Sequence, residues 1–248
     1  MIKKILLVIF AVFVSFENSQ AQNWNSAEGL KKLERSQFKN DFYQLANFYQ
    51  PQENPLFCSI ATGTIIRNAL NYKNISSQKS GEMTRPDGSV VEYHLYSQDG
   101  FFNDKTEKVK KRAVIEFKEP VAGTKEFDAG VTLADFAQML KIHGMKVELT
   151  RVEKNDAEVA EKFRNILKAN LAEDKKFLVL NFDGKVLGKA TRGHVSPLVA
   201  FDEASDSVLV LDVALHKNQW YWVEVSKLIE AMNTKDAANY RGYLVVGK

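Results

Sequence analysis

The chain has 248 residues, of which 45% are hydrophobic and 26% are charged, as in an ordinary globular protein. A chain of this length can bury a core without disulfides or a structural metal, and one domain is the simplest organisation. The formal net charge is +3, and two of the positive charges are Lys3 and Lys4 at the extreme N-terminus. The rest of the protein is nearly neutral, so we expect no nucleic-acid partner.

Residues 1–21 have the features of a signal peptide. Two lysines precede an apolar run at residues 5–16, and Ala21 ends a Ser-Gln-Ala triplet of the kind that signal peptidase reads. The run is too short to span a bilayer as a helix, and an uncleaved N-terminal anchor is the alternative. We therefore predict cleavage after Ala21, a mature domain at residues 22–248 without a membrane segment, and a periplasmic or secreted location.

Helical patterns dominate the first two thirds of the chain, and strand patterns dominate the last third. The predicted helices are residues 26–49, 58–70, 132–144 (with Thr132 as its cap) and 155–172. The predicted strands are residues 90–96, 177–182, 194–201, 207–213, 219–225 and 241–246. Helices followed by a sheet are typical of an α+β fold, and we expect an N-terminal helical half to pack on a C-terminal antiparallel sheet.

Cys58 is the only cysteine in the chain. In an oxidising compartment structural cysteines normally occur in pairs, so a lone thiol is either buried and inert or kept for chemistry. Pro55 indicates that Cys58 lies where a loop ends and a helix begins. There the positive end of the helix dipole and the free backbone N–H groups favour a thiolate. The position suits a nucleophile, and it also suits a small buried residue.

His194 and Asp212 are predicted to meet across a hairpin. If residues 202–206 form the turn, residue 201 faces 207 and His194 faces Ala214. Asp212 then lies two positions away on the same face, at a diagonal of about 7–8 Å that the two side chains can bridge. A carboxylate in such an apolar run also needs a partner. Asp212 would orient His194, which would take the proton of Cys58; the alternative is a purely structural pair.

Several segments resemble, in the same order, motifs of the phytochelatin synthase family, and the resemblance to its bacterial single-domain type covers most of residues 45–247. They are Gln52-Glu53-Asn54-Pro55-Leu56-Phe57-Cys58, the helix between Gly130 and Gly144, Gly193-His194-Val195-Ser196-Pro197, Leu211-Asp212-Val213-Ala214 with Trp222-Val223, and Arg241-Gly242-Tyr243.

The resemblance implies a papain-like cysteine peptidase fold and a role for each site residue. Cys58 would be the nucleophile, His194 the general base and then acid, and Asp212 the orienter. Gln52 matches the family's oxyanion-hole glutamine, which would act together with the backbone N–H of Cys58. Arg241 would either hold the α-carboxylate of a γ-glutamyl group or belong to a structural ion pair.

The activity that the resemblance implies is removal of glycine from glutathione through a γ-glutamylcysteinyl thioester. Water would then release γ-glutamylcysteine, or a second glutathione would form a phytochelatin, as in metal detoxification; we expect hydrolysis to dominate. We expect no tightly bound cofactor and no metal site in the protein, so that cadmium or zinc would act only through metal–thiolate substrates. A homodimer is left open.

Two residues depart from the family pattern and concern the substrate pocket. Ser59 follows the cysteine in place of the usual glycine, and Leu215 replaces a common basic residue. Two other functions stay open. One is a papain-like peptidase that cuts another peptide, and the other is a non-catalytic protein that binds thiols or peptides.

Overall fold

The computed structural model describes residues 21–72, 75, 80–126 and 130–248. The predicted signal peptide lies outside these residues except for Ala21. None of the helices in the described ranges is both long and apolar enough to cross a membrane.

Helices and strands alternate along much of the chain, whereas the sequence patterns predict mostly helices first and strands afterwards. The described helices are α1 (Ala27–Arg35), α2 (Asn40–Ala46), α3 (Cys58–Asn71), α4 (Arg112–Ile115), α5 (Leu133–Ile142), α6 (Ala157–Leu171) and α7 (Val225–Met232). The described strands are β1 (Gln22–Asn23), β2 (Gly81–Thr84), β3 (Val90–Tyr93), β4 (Lys146–Arg151), β5 (Lys176–Asp183), β6 (Gly193–Asp202), β7 (Ser207–Val210), β8 (Tyr221–Glu224), β9 (Lys235–Asp236), β10 (Asn239–Tyr240) and β11 (Gly242–Gly247).

One antiparallel sheet forms the centre of the molecule. Its strands follow the order β1-β8-β7-β6-β5-β11-β4, and every neighbouring pair is antiparallel. Two small hairpins, β2–β3 and β9–β10, lie outside this sheet. The predicted α+β class is therefore confirmed.

Both faces of the sheet are covered by helices. In β5, Phe177 and Val179 join a core with residues of α2, α3 and α5, whereas Leu178, Leu180 and Phe182 join a second core with α6 and α7. This explains why β5 is continuously apolar and does not alternate. The predicted packing of an N-terminal helical half describes the first face only, because α6 and α7 cover the second.

The predicted helix at residues 26–49 is wrong in one respect, because it is two helices. The chain becomes extended at Ser36, and Phe38 then pairs with Phe201 of β6, whose N–H donates to the Phe38 carbonyl at 2.8 Å. A backbone bond to the sheet thus interrupts a pattern that would otherwise continue as a helix.

The hairpin of β6 and β7 differs from the predicted register near its turn. Asp202, not residue 201, faces Ser207, and an irregularity between Leu198 and Ala200 then shifts the pairing so that Leu198 faces Val210. Beyond it, the N–H of Leu211 donates to the Pro197 carbonyl at 2.9 Å, in the predicted register. The bulge therefore compensates for a turn that is one residue shorter than predicted.

Asp41 on α2 is a buried carboxyl group for which the described part of the chain supplies no compensating contact. Its side chain is fully buried, and neither oxygen has a hydrogen-bond partner among the described residues. Burial, with a smaller contribution from the charge of Asp174, raises the pKa of Asp41 to about 8. Ionisation of Asp41 therefore opposes folding, since an unfolded aspartate ionises near pH 4.

We expect Asp41→Asn to stabilise the protein by roughly 2–5 kcal/mol at pH 8 and by little near pH 4. The gain should grow as the pH rises from about 4 to about 8. In this range Asp41 ionises in the unfolded wild type but stays protonated in the folded protein, so that rising pH favours unfolding. Urea unfolding of both proteins across this range measures it. The exposed Glu34→Gln is the control, and an equal gain at both pH values would contradict the burial argument.

Candidate active site

Cys58 is the first residue of α3, as predicted. The turn before it is closed by Asn54, whose Oδ1 accepts from the N–H of Leu56 at 3.0 Å and whose carbonyl accepts from the N–H of Phe57 at 2.9 Å. Phe57 is the N-cap residue and has no side-chain hydrogen bond to the helix. The N–H groups of the first turn are thus left for a ligand next to the thiol.

Cys58 is partly exposed and opens into a cavity of about 800 Å³. This volume suits a small peptide-sized molecule. The residues that line it include Gln52, Cys58, His194, Asp236 and Arg241. All the predicted site residues except Asp212 therefore face one space, and Asp212 lies directly behind His194.

His194 and Asp212 form a buried pair. Nε2 of His194 lies 2.8 Å from Oδ1 of Asp212 and 3.1 Å from Oγ of Ser196. The imidazole is 3% exposed and the carboxylate 0% exposed. With Nε2 engaged by Asp212, Nδ1 is the ring nitrogen left for the thiol of Cys58. The structure thus brings together the side chains that the hairpin register predicts to meet.

The pKa of His194 is raised and that of Asp212 is lowered. Burial acts to lower the pKa of His194, but Asp212 and then Cys58 outweigh it and raise this pKa to about 10. Burial acts to raise the pKa of Asp212, but His194 and the donors around the carboxylate hold it below its ordinary value. At neutral pH the imidazole is therefore protonated and the carboxylate ionised.

Asp212 has further hydrogen bonds that the sequence patterns do not predict. The N–H of Ala214 donates to its Oδ1 at 2.7 Å, and Nδ2 of Asn218 donates to its Oδ2 at 3.1 Å. The hydroxyl of Tyr49 donates to its backbone carbonyl at 2.9 Å. The donors on Ala214 and Asn218 satisfy a carboxylate that has no access to solvent, and the Tyr49 hydroxyl satisfies the backbone carbonyl of the same residue.

The loop that carries Gln52 is fixed from two sides. The backbone N–H of Gln52 donates to the carbonyl of Val213, next to Asp212, at 2.9 Å. The buried Gln98 donates to the Pro51 carbonyl at 2.8 Å and accepts from the N–H of Glu53 at 3.0 Å. Nε2 of Gln52 donates to the Asn54 carbonyl at 2.9 Å, which leaves its second N–H for another acceptor. Gln98 had no recognisable signal in the sequence.

Arg241 has polar contacts within the protein and also lies on the cavity wall. Its guanidinium donates to Asn181 and Thr234 at 3.1 Å each and lies 3.5 Å from a carboxylate oxygen of Asp236. It also lines the cavity, where it packs on Gly193; a Cβ there would lie 2.9 Å from one of its nitrogens. Glycine before His194 is thus the residue that admits the guanidinium.

The two departures from the family pattern occupy different environments. Ser59 is buried, and its hydroxyl has no partner among the described residues. Leu215 is 53% exposed. Within the described ranges, no cluster of three or more histidine, cysteine, aspartate or glutamate side chains could hold a metal ion.

A thiol, a buried imidazole–carboxylate pair and a cavity of this size are the components of a cysteine-nucleophile site. A family model described as phytochelatin synthase matches residues 17–243. The chain belongs to the phytochelatin synthase family.

Three curated proteins illustrate the similarity. Glutathione gamma-glutamylcysteinyltransferase 3 of Lotus japonicus is 27% identical over 209 residues, which cover 84% of this chain and 37% of that protein. Glutathione gamma-glutamylcysteinyltransferase of Schizosaccharomyces pombe is 27% identical, covering 88% and 45% of the two chains. Glutathione gamma-glutamylcysteinyltransferase 2 of Arabidopsis thaliana is 24% identical, covering 95% and 44%. The chain thus spans less than half of the length of these relatives.

Proposed function

We propose that the protein removes glycine from glutathione, with Cys58 as the nucleophile of a glutathione γ-glutamylcysteinyltransferase. The observation that carries the proposal is the buried His194–Asp212 pair next to Cys58 at one cavity. Membership of the family and the names of its relatives support glutathione as the substrate. The same features support a papain-like fold, which remains a prediction, as does export by residues 1–21.

The electrostatics of His194 support a thiolate–imidazolium resting state. Because the pKa of His194 is raised to about 10, the ring holds a proton at neutral pH. The sulfur of Cys58 attacks the carbonyl carbon of the Cys–Gly bond. His194 gives its proton to the glycine nitrogen as that bond breaks, and a γ-glutamylcysteinyl thioester remains.

Gln52 and the helix N-terminus would stabilise the oxyanion of this step. The free N–H of the Gln52 amide and the backbone N–H of Cys58 are the proposed donors. Support comes from the position of Gln52 at the cavity and from the hydrogen bonds that hold its loop to Val213.

Arg241 and Asp236 suit the zwitterionic end of a γ-glutamyl group. The two charges lie 3.5 Å apart on the cavity wall, with Asn181 of β5 as an additional amide. Arg241 would hold the α-carboxylate and Asp236 the α-ammonium group. A peptide of α-linked residues does not carry an α-carboxylate and an α-ammonium group on the same residue, so this pair favours a γ-glutamyl substrate.

Two acceptors can resolve the thioester. Water gives γ-glutamylcysteine, and the amine of a second glutathione gives a phytochelatin; His194 takes the acceptor's proton in either case. We propose that hydrolysis dominates. Cadmium or zinc would act as part of a metal–thiolate substrate.

Incubation of the purified protein with glutathione, with and without cadmium, tests the proposal. Mass spectrometry should detect free glycine, γ-glutamylcysteine and a γ-glutamylcysteinyl adduct on Cys58. Neither glycine nor adduct would contradict it. Cleavage of other peptides alone would indicate a different peptidase, and glutathione binding without any adduct would indicate a binding protein.

A further inference from the structure

Asn218 stands out because it contacts the orienting carboxylate without facing the cavity. The residue is 9% exposed, and its amide donates to Oδ2 of Asp212 at 3.1 Å. The other oxygen, Oδ1, receives the N–H of Ala214 at 2.7 Å and Nε2 of His194 at 2.8 Å. The two oxygens are thus held by donors from different directions, which restricts rotation of the carboxylate.

A short turn delivers two of these three donors, those of Ala214 and Asn218. The N–H groups of Lys217 and Asn218 donate to the carbonyl of Ala214 at 2.8 and 3.0 Å. This turn folds residues 214–218 around the carboxylate, so that the N–H of Ala214 and the side chain of Asn218 reach it together. Replacement of Asn218 would remove one donor and leave the rest of the turn in place.

We propose that Asn218 is a positioning residue that holds the Asp212 carboxylate in the orientation at which Oδ1 meets His194. Asn218 touches neither Cys58 nor the cavity, and it acts through Asp212. Without it the carboxylate can rotate, its bond to the imidazolium is made for less of the time, and His194 becomes a weaker base. The proton then returns from His194 to Cys58, and the thiolate population at neutral pH falls.

Several other ionisable groups surround Asp212 and are unchanged by this substitution. Tyr221 of β8 is buried beside it, and its pKa is raised by burial and by Asp212. Lys189 lies with its ammonium group 4.1 Å from the centre of the Tyr221 ring. Tyr49 bonds to the Asp212 carbonyl, and His194 to its carboxylate.

Alkylation of Cys58 by iodoacetamide tests the role without any substrate. At pH 6 the reactivity of the sulfur depends on the protonated imidazole beside it, whereas at pH 10, where His194 loses its proton, that dependence is largely gone. We expect Asn218→Leu to lower the alkylation rate by about 10-fold at pH 6 and to leave it unchanged at pH 10. Asn218→Ser, which keeps a shorter donor and perturbs packing less, should lose about 3-fold at pH 6.

Gln219→Ala changes an exposed neighbour and should react like the wild type at both pH values. Circular dichroism checks that each variant is folded. If Asn218→Leu does not fold, the alkylation rates of Asn218→Ser alone test the proposal. The proposal is overturned if the ratio of the rates at pH 6 and pH 10 equals that of the wild type, whether or not both rates fall.

The consequence for turnover rests on the proposed function. In glycine release, Asn218→Leu should lower kcat by about 10-fold with KM within twofold of the wild type, because the substrate never contacts Asn218. If the wild type releases no glycine, the proposed function fails, while the alkylation ratio still reports on Asn218.

Discussion

Replacement of Cys58 by serine is expected to lower glycine release from glutathione by about 10⁴-fold or more and to remove the thioester adduct. A serine hydroxyl is far less acidic than a thiol, so His194 cannot hold it as an anion in the resting state. No second cysteine can take over, because Cys58 is the only one in the sequence. The rate of glycine release and the intact mass of the protein after incubation measure the effect.

The neighbouring residue provides a matched control. Ser59→Ala removes a buried hydroxyl that has no partner among the described residues, one position along the same helix. It should keep the adduct and most of the rate. Glycine release that continues unchanged in Cys58→Ser would show that another group carries the chemistry.

Replacement of Asp212 by asparagine should have the second largest effect, a loss of about 10⁴-fold in kcat. The amide removes the negative charge that raises the pKa of His194 to about 10, and it leaves the imidazole buried beside a neutral group. His194 then no longer holds the proton of Cys58 at neutral pH. Alkylation of Cys58 should fall steeply at pH 6, by more than in Asn218→Leu, and be preserved at pH 10.

Stability provides a second measurement of the same pair. The folded pKa of His194, about 10, lies above its ordinary value near 6.5, so the imidazolium stabilises the fold below pH 6.5. This contribution is lost as the pH rises through 10, and Asp212→Asn should abolish that part of the pH dependence of unfolding. The control is Asp202→Asn. Asp202 is a buried carboxylate of the same hairpin, and it pairs with Arg35 of α1 at 2.6 Å. This variant should lose stability without losing alkylation at pH 6.

The periodicity of apolar residues predicted those elements whose buried residues recur at regular intervals along the chain. The helix that starts at Cys58 and the helix capped by Thr132 were expected where the structure has them, and Thr132 accepts from the N–H of Asp135. By contrast, none of the residues of β4 is buried, and the strand pairs with β11, which lies roughly a hundred positions later. A strand with that little buried surface gives a weak signal, and its partner is chosen by tertiary structure.

The site was predictable to the extent that it depends on strand pairing. The meeting of His194 and Asp212 follows from a hairpin, which is a local structure. Asn218, Gln98 and Asp236 are polar residues in loops or short strands, where no periodicity marks them. Their positions depend on how distant segments close around the carboxylate, the Gln52 loop and Arg241.

The bulge in β6 decides whether His194 and Asp212 lie on the same surface of the sheet. Where Asp202 faces Ser207, paired residue numbers add to an odd total, and continuation of that pairing would place Asp212 opposite Pro197. Side chains alternate along a strand, so Asp212 would then lie on the opposite surface from His194. The single extra residue between Leu198 and Ala200 makes the total even and restores both side chains to one surface. The proposed catalytic chemistry would thus depend on the parity of the strand pairing, which is set by one unpaired residue at a point where β6 carries no reactive group.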